Sequence, residues 1–228
     1  MRNPVENSGV GLDTVGVRCQ PVMLITLLAP ALFITALSGD LAAAPTVDAA
    51  KIVREKCAAC HTETGNSVAP PFPKLAGMHA EYLAKEMRDF ASGARKSEIM
   101  HPIMQDVKRN EIDPLAHYFA AQRRTPGLVS DPSLIPEGKR LYHEGNKATG
   151  VPACAGCHME DGGGAPRFPM IAAQNSEYVA QQLRHFHTAE RANDFGLLMR
   201  TVGGRLTESE IVAVSQYVAS MPVVPAGR

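Results

Sequence analysis

Apolar positions recur at helical spacing in two sets of segments, one in each half of the chain. The clearest is 79–92, where Tyr82, Leu83, Met87 and Phe90 fall on one face of a predicted helix, with 176–188 as its counterpart. Shorter amphipathic stretches over 47–56 and 136–144 predict an opening helix for each half. Thr207 followed by Glu210 forms a capping box, which predicts where the last helix starts. The matching stretch of the first half, 110–122, is less regular because Pro114 falls just inside it. Either Asp113 is the N-cap or the helix kinks there. Between the halves, 123–136 contains Pro126, Gly127, Ser130, Pro132 and Ser133 without periodicity, which predicts a tether with its linker core at 125–135.

The two halves are copies. Counting from Phe72 and Phe168, a tyrosine follows after ten residues (Tyr82, Tyr178), a phenylalanine after eighteen (Phe90, Phe186) and an arginine at the same further offset (Arg95, Arg191). Met100 and Met199 each stand 18 residues before a tyrosine, Tyr118 and Tyr217. Agreement of this length reads as duplication and divides the chain into domains at 45–124 and 136–228. The expected fold class is all-α, two domains in tandem.

Ahead of them, 1–44 reads as a leader. Arg2 and Arg18 precede an apolar run from Val22 to Leu37, and Ala42, Ala43 and Ala44 follow it, so cleavage is expected after Ala44. A retained anchor with peripheral membrane association is the alternative. Cys19 would leave with the leader, so four of the five cysteines remain in an exported, periplasmic protein.

Charge adds an exclusion. The chain holds 23 basic and 23 acidic residues, and neither domain has a strong excess, so there is no nucleic-acid footprint and no strong steering field. Aromatic residues make up 5% of the chain and Trp is absent, which is thin for two small cores. A large apolar cofactor in each domain would supply the missing volume, and folding should then depend on its attachment.

The candidate chemistry points to that cofactor. Cys57-Ala-Ala-Cys60-His61 and Cys154-Ala-Gly-Cys157-His158 are two C-x-x-C-H motifs, the attachment signature of c-type haem. Two thiols three positions apart each add to one vinyl group of a porphyrin, and the next residue presents an imidazole to the iron. Zinc would want its two pairs far closer than the 97 residues between Cys57 and Cys154, and no βαβ context supports a thioredoxin-like site. Two covalent haem c groups are expected, attached through Cys57, Cys60, Cys154 and Cys157, with His61 and His158 as axial ligands.

The other axial position decides the chemistry. Methionine keeps iron six-coordinate and suits electron transfer, while an open site suits catalysis. Thiolate ligation is excluded because no further cysteine survives the leader. Met100 and Met199 each lie seven residues before an apolar residue opening the last helix, Val107 and Leu206, and this repeated offset selects them as ligands. Met104 is the alternative in the first domain; His101 and His187 follow should the methionines fail. Met78, Met87, Met159 and Met170 read as packing. A ligating imidazole normally donates its second N–H to a carbonyl, for which Pro70 and Pro166 are candidates.

These motifs resemble the dihaem cytochromes c of the c4 type. The resemblance rests on C-A-A-C-H-T-E-T-G-N-S, P-P-F-P-K-L-A-G and Y-L-A-K-E-M-R-D-F-A-S-G in the first copy. In the second it rests on C-A-G-C-H-M-E-D-G-G-G, P-R-F-P-M-I-A-A-Q, Y-V-A-Q-Q-L-R-H-F and L-M-R-T-V-G-G-R-L-T-E-S-E-I. It implies two tandem class I cytochrome c domains about a pseudo-twofold axis with neighbouring haems. His61 with Met100 and His158 with Met199 would be the ligand pairs. The implied role is single-electron transfer in a bacterial periplasm, from a cytochrome bc1-type donor toward a haem-copper terminal oxidase. Two departures stand out: Ile171-Ala172-Ala173 replaces the second domain's L-A-G or L-G-G, and Lys108-Arg109-Asn110 replaces a helix start of L-S-x type.

On this reading the chain is not an enzyme. A competing role is the electron-accepting subunit of a periplasmic dehydrogenase of the sulfide- or thiosulfate-oxidising type. A dihaem peroxidase needs a vacant iron site, which the matched methionines oppose. Glu160 and Asp161 flank the second motif where Thr62 and Glu63 flank the first, so the two irons are expected to have unequal potentials.

Overall fold

The first domain opens where Asp48 Oδ1 accepts the Lys51 N–H at 2.9 Å, a side-chain N-cap. The computed structural model describes residues 47–165 and 167–225; the expected leader lies outside the described residues. Helix α1 (Ala49–Ile52) runs through a π-type turn (Val53–Cys57) into α2 (Ala58–His61), which carries the first C-x-x-C-H motif. Then follow α3 (Ala80–Ser92), α4 (Met100–Gln105) and α5 (Ile112–Ala120). The second domain contributes α6 (Ile135–Glu144), α7 (Ala155–His158), α8 (Ser176–His187), α9 (Leu198–Gly203) and α10 (Glu208–Ser220). Among the described residues there is no strand, only two isolated antiparallel bridges.

The long helices lie where periodicity predicts them, and α10 starts at the expected box. Thr207 N–H donates to the Glu210 carboxylate at 2.9 Å while Thr207 Oγ1 accepts from Glu210 N–H at 3.2 Å. The start of α5 corrects the expectation. Asp113 is not its N-cap and the helix is not kinked; a 3-10 turn (Arg109–Glu111) leads in, with Lys108 N–H donating to Glu111 at 2.9 Å. Pro114 then occupies the first turn of α5, where a missing N–H removes no helical bond.

Each half buries its own apolar cluster: Val53, Leu83, Leu115 and Phe119 in the first, and Leu141, Tyr142, Ile211, Val214 and Val218 in the second. In the second, α6 crosses α10 so closely that a Cβ on Gly138 would run into the Ala213 carbonyl. The two halves nevertheless form one compact unit across the described residues.

The segment between the halves is therefore not a free tether. Asn66 Nδ2 donates to the Arg123 carbonyl at 2.9 Å and its Oδ1 accepts from Thr125 N–H at 2.8 Å. Leu128 N–H reaches Asn175 Oδ1, and Gln216 Oε1 accepts from the N–H groups of Ser130 and Asp131 at 2.9 and 3.0 Å. A short 3-10 turn (Pro132–Leu134), capped by Asp131, then leads into α6. Lacking helical period, these residues are held by side chains of both domains. No helix among the described residues is long and apolar enough to cross a membrane.

Candidate haem site

The loop after each motif is built alike. Thr62 and Met159, directly after the histidines, take left-handed backbone at φ 61° and 68° and turn the chain out of α2 and α7. Three residues on, the carbonyl of Gly65 accepts from Leu75 and Ala76 N–H at 2.7 and 3.1 Å. The carbonyl of Gly162 does the same for Ile171 and Ala172 at 2.8 and 3.1 Å. This fold-back sets Pro73 beside His61 and Pro169 beside His158.

Each imidazole is thereby fixed. His61 Nδ1 lies 3.0 Å from the Pro73 carbonyl and His158 Nδ1 lies 2.9 Å from that of Pro169. A carbonyl only accepts, so Nδ1 donates and Nε2 is left as a lone-pair donor. Both rings are buried, and burial lowers both pKa values, which keeps the imidazoles neutral. The expected carbonyl acceptors need correction. Pro70 is exposed, Pro166 lies outside the described residues, and the prolines that follow the landmark phenylalanines take the role.

None of the four motif cysteines is paired in a disulfide. Burial pushes Cys57 and Cys154 up to about 11, so they are protonated rather than poised as thiolates. Among the described residues, no cluster of three or more His, Cys, Asp or Glu side chains could hold a bare metal ion.

Both motifs open onto one cavity of about 1220 Å³. Single small-molecule sites span roughly 300–1,000 Å³, so this volume exceeds one such ligand. Its walls include Leu75, Met78, Leu83 and Phe119 from the first half and Leu183, Phe186, Val214 and Val218 from the second. An apolar hollow with two thiol pairs and two oriented neutral imidazoles fits two c-type haems.

Met100 and Met199 both line the cavity, from the first turns of α4 and α9. Ser97 Oγ accepts the Met100 N–H at 3.0 Å, whereas in the second half Asp194 accepts the Arg200 N–H at 3.0 Å and its Nε at 2.6 Å. Met104 also lines the cavity, more deeply buried. His101 and His187 do not; their Nδ1 atoms bond the carbonyls of Phe90 and Gly203 at 2.7 and 2.9 Å. Met78 and Met170 are buried packing residues as expected, but Met159 is 47% exposed, because its left-handed turn carries the side chain outward.

Between the two halves the cavity has a polar wall that the motifs do not announce. Arg95 Nη2 donates to Tyr178 Oη at 3.0 Å and Arg191 Nη2 to Tyr82 Oη at 3.0 Å, each arginine reaching the tyrosine of the other half. Each guanidinium also stacks on its own domain's phenylalanine, Arg95 on Phe90 at 4.5 Å and Arg191 on Phe186 at 4.6 Å. Glu86 accepts from Arg95 at 2.6 Å and from Arg191 at 3.2 Å. Burial alone would raise its carboxyl, but Arg191, Arg95 and Lys85 outweigh it and hold it down at about 2. The repeated arginines were visible in the sequence as landmarks; their cross-domain pairing was not.

Comparison with known proteins decides the family. A cytochrome c family model matches residues 47–122 and again 135–222. The cytochrome c4 of Thiocapsa roseopersicina is 44% identical over 80% of this chain and 98% of its own. The chain belongs to the cytochrome c4 family. The crystal structure of reduced recombinant cytochrome c4 from Pseudomonas stutzeri superposes with a TM-score of 0.72 at 34% identity, covering 76% of this chain and 97% of that one. A protein of Thiomonas intermedia named thiosulfate dehydrogenase electron acceptor is 32% identical over 74% of this chain and 80% of its own length. The fold is thus two tandem cytochrome c domains, the cofactors are two covalent haem c groups, and the protein is an electron-transfer cytochrome.

Proposed function

We propose that this cytochrome c4-family member passes single electrons between a periplasmic or membrane-bound respiratory donor and a terminal acceptor. Its haems would be held by thioethers at Cys57 and Cys60 and at Cys154 and Cys157. His61 with Met100, and His158 with Met199, would hold the two irons. The observation that carries the reading is the single cavity shared by both motifs and both methionines. When bound, each haem supplies a one-electron iron couple. The chain orients the imidazoles through Pro73 and Pro169, excludes water with apolar walls and brings a methionine thioether to each site. Such closure favours outer-sphere electron exchange over substrate chemistry, so the protein works as a carrier and not as an enzyme.

The leader over 1–44 would export the chain to the periplasm, and the domains would span 45–124 and 136–228 around a linker at 125–135. Donors of cytochrome bc1 type and haem-copper oxidases fit a general respiratory carrier. A second reading, the electron-accepting partner of a periplasmic dehydrogenase, is favoured by the similarity to the Thiomonas intermedia acceptor. Rapid mixing tests the carrier reading: the ferric holoprotein should take electrons readily from a reduced cytochrome, and the reduced form should bind carbon monoxide slowly. Fast carbon monoxide binding or peroxide turnover by the resting protein would overturn it. Direct reduction by a thiosulfate dehydrogenase but not by a bc1-type donor selects the second role.

A further inference from the structure

The polar wall between the halves follows the duplication at its tyrosines, phenylalanines and arginines but departs from it at the side chain seated between the two guanidinium groups. Tyr82 matches Tyr178, Phe90 matches Phe186, and Arg95 matches Arg191, but Glu86 matches Gln182. Both members of that pair lie within reach of both arginines. Glu86 Oε2 accepts from Arg95 and Arg191 at 2.6 and 3.2 Å, and Gln182 Oε1 accepts from the same two at 2.7 and 3.0 Å. The wall thus has two seats on which both arginines converge; a carboxylate fills one, where Lys85 Nζ at 3.0 Å and Asn193 Nδ2 at 3.1 Å also donate to it.

We infer that Glu86 is a potential-setting residue for both irons, a buried negative charge that offsets the guanidinium groups of Arg95 and Arg191 at the junction of the domains. Glu86, Arg95 and Arg191 are all buried and all line the cavity shared by the two motifs. Lys85 and Asp89 beside them are less buried; Lys85 Nζ is shared between Glu86 at 3.0 Å and Asp89 at 2.6 Å, so the Lys85–Asp89 pair adds no net charge. The buried wall therefore carries one unit of positive charge with Glu86 and two without it. Ferric iron carries one more positive charge than ferrous, so a nearby negative charge favours the ferric state and its loss favours the ferrous. In a wall removed from water the effect falls off slowly with distance and salt screens it little. A carboxylate seated on the junction acts on both sites.

A purely structural ion pair would look the same in the coordinates, because breaking a buried pair is destabilising whatever else it does. Potentials separate the two roles. The inference rests on the proposed placement of the haems in this cavity, and the spectrum of the unsubstituted holoprotein tests that placement separately.

Spectroelectrochemical titration of the holoprotein should show both midpoint potentials rising in Glu86→Gln and both falling in Gln182→Glu. The double variant moves the carboxylate to the other half and should return the mean potential to its original value. Unchanged potentials in Glu86→Gln, or a double variant as displaced as either single one, would overturn the inference. Should Glu86→Gln fail to assemble with both haems, Gln182→Glu decides alone, because it adds a carboxylate where two guanidinium donors already converge: a fall in both potentials supports the inference and no change sinks it.

Discussion

In the first half, Met100 follows Arg95 by five residues and its N–H is held by Ser97; in the second, Met199 follows Arg191 by eight, and Asp194 holds the next residue, Arg200. The three additional residues fall in a segment where Asp194 is tied to Arg200, Phe195 lines the cavity and Leu197 is exposed. On the histidine side the loops differ by one residue, Pro73 lying twelve after His61 and Pro169 eleven after His158, yet the contacts are the same. The Gly65 and Gly162 carbonyls, the Pro73 and Pro169 acceptors and the left-handed residue after each histidine repeat one another closely. Duplication has kept the side that attaches and orients haem, where a thiol pair and an imidazole admit one geometry. Under the proposed ligation the methionine side tolerates different loops, because one thioether needs only to be delivered to the right place.

Removing one half's attachment breaks the comparison most severely. Cys154→Ala with Cys157→Ala should yield a protein carrying one haem by mass spectrometry and lacking a cooperative transition for the second domain, whose core is thin in aromatic residues. Cys57→Ala with Cys60→Ala should do the same to the first. Retention of two covalent haems by either double variant would refute the assignment.

Acid acts next, on the junction rather than on either half. Glu86 is held at about 2 against an ordinary 4.5, so its pairing stabilises the protein fully above roughly pH 4.5 and is lost as the pH falls toward 2. Acid unfolding of the holoprotein should be shallower over that window in Glu86→Gln, whose amide does not titrate. An identical slope would remove Glu86 as the source.

The smallest difference concerns one residue of backbone. Gly77 and Ala173 hold equivalent places, donating to the carbonyls of Phe119 and Val218 at 3.0 Å in both cases, with φ at 71° and 54°. Left-handed backbone costs an alanine roughly 1–2 kcal/mol, while glycine carries more unfolded-state entropy. Ala173→Gly should therefore raise the stability of the second domain by up to about 1 kcal/mol, read by denaturant unfolding. A loss of stability would show that the site relaxes around the methyl group.

Helix positions and the attachment motifs were legible in the sequence, since 3.6-residue periodicity and the C-x-x-C-H spacing are local. What the chain does between distant segments was not. The carbonyl partners were sought two residues before the landmark phenylalanines and lie one residue after, because the fold-back at Gly65 and Gly162 sets which peptide faces the ring. Residues 125–135 read as a tether, yet Asn66, Asn175 and Gln216 hold them from either side. Asp113 read as a cap because Pro114 marks the first turn, whereas the turn begins earlier, with Lys108 N–H on Glu111. Ala173 was flagged as a departure, and its left-handed φ gives the physical reason. Glu86 carried no signal in a pattern of matched residues, since its importance lies in failing to match Gln182.

In the proposed ligation both irons are closed by His and Met, with Met100 and Met199 as the delivered ligands. Ferric holoprotein should display the weak far-red absorption of methionine sulfur bound to iron, and Met100→Ala and Met199→Ala should each remove about half of it and lower one midpoint potential. A full-strength band in Met100→Ala would transfer the first site to Met104, and a full-strength band in both variants would contradict the ligation that makes this protein an electron carrier.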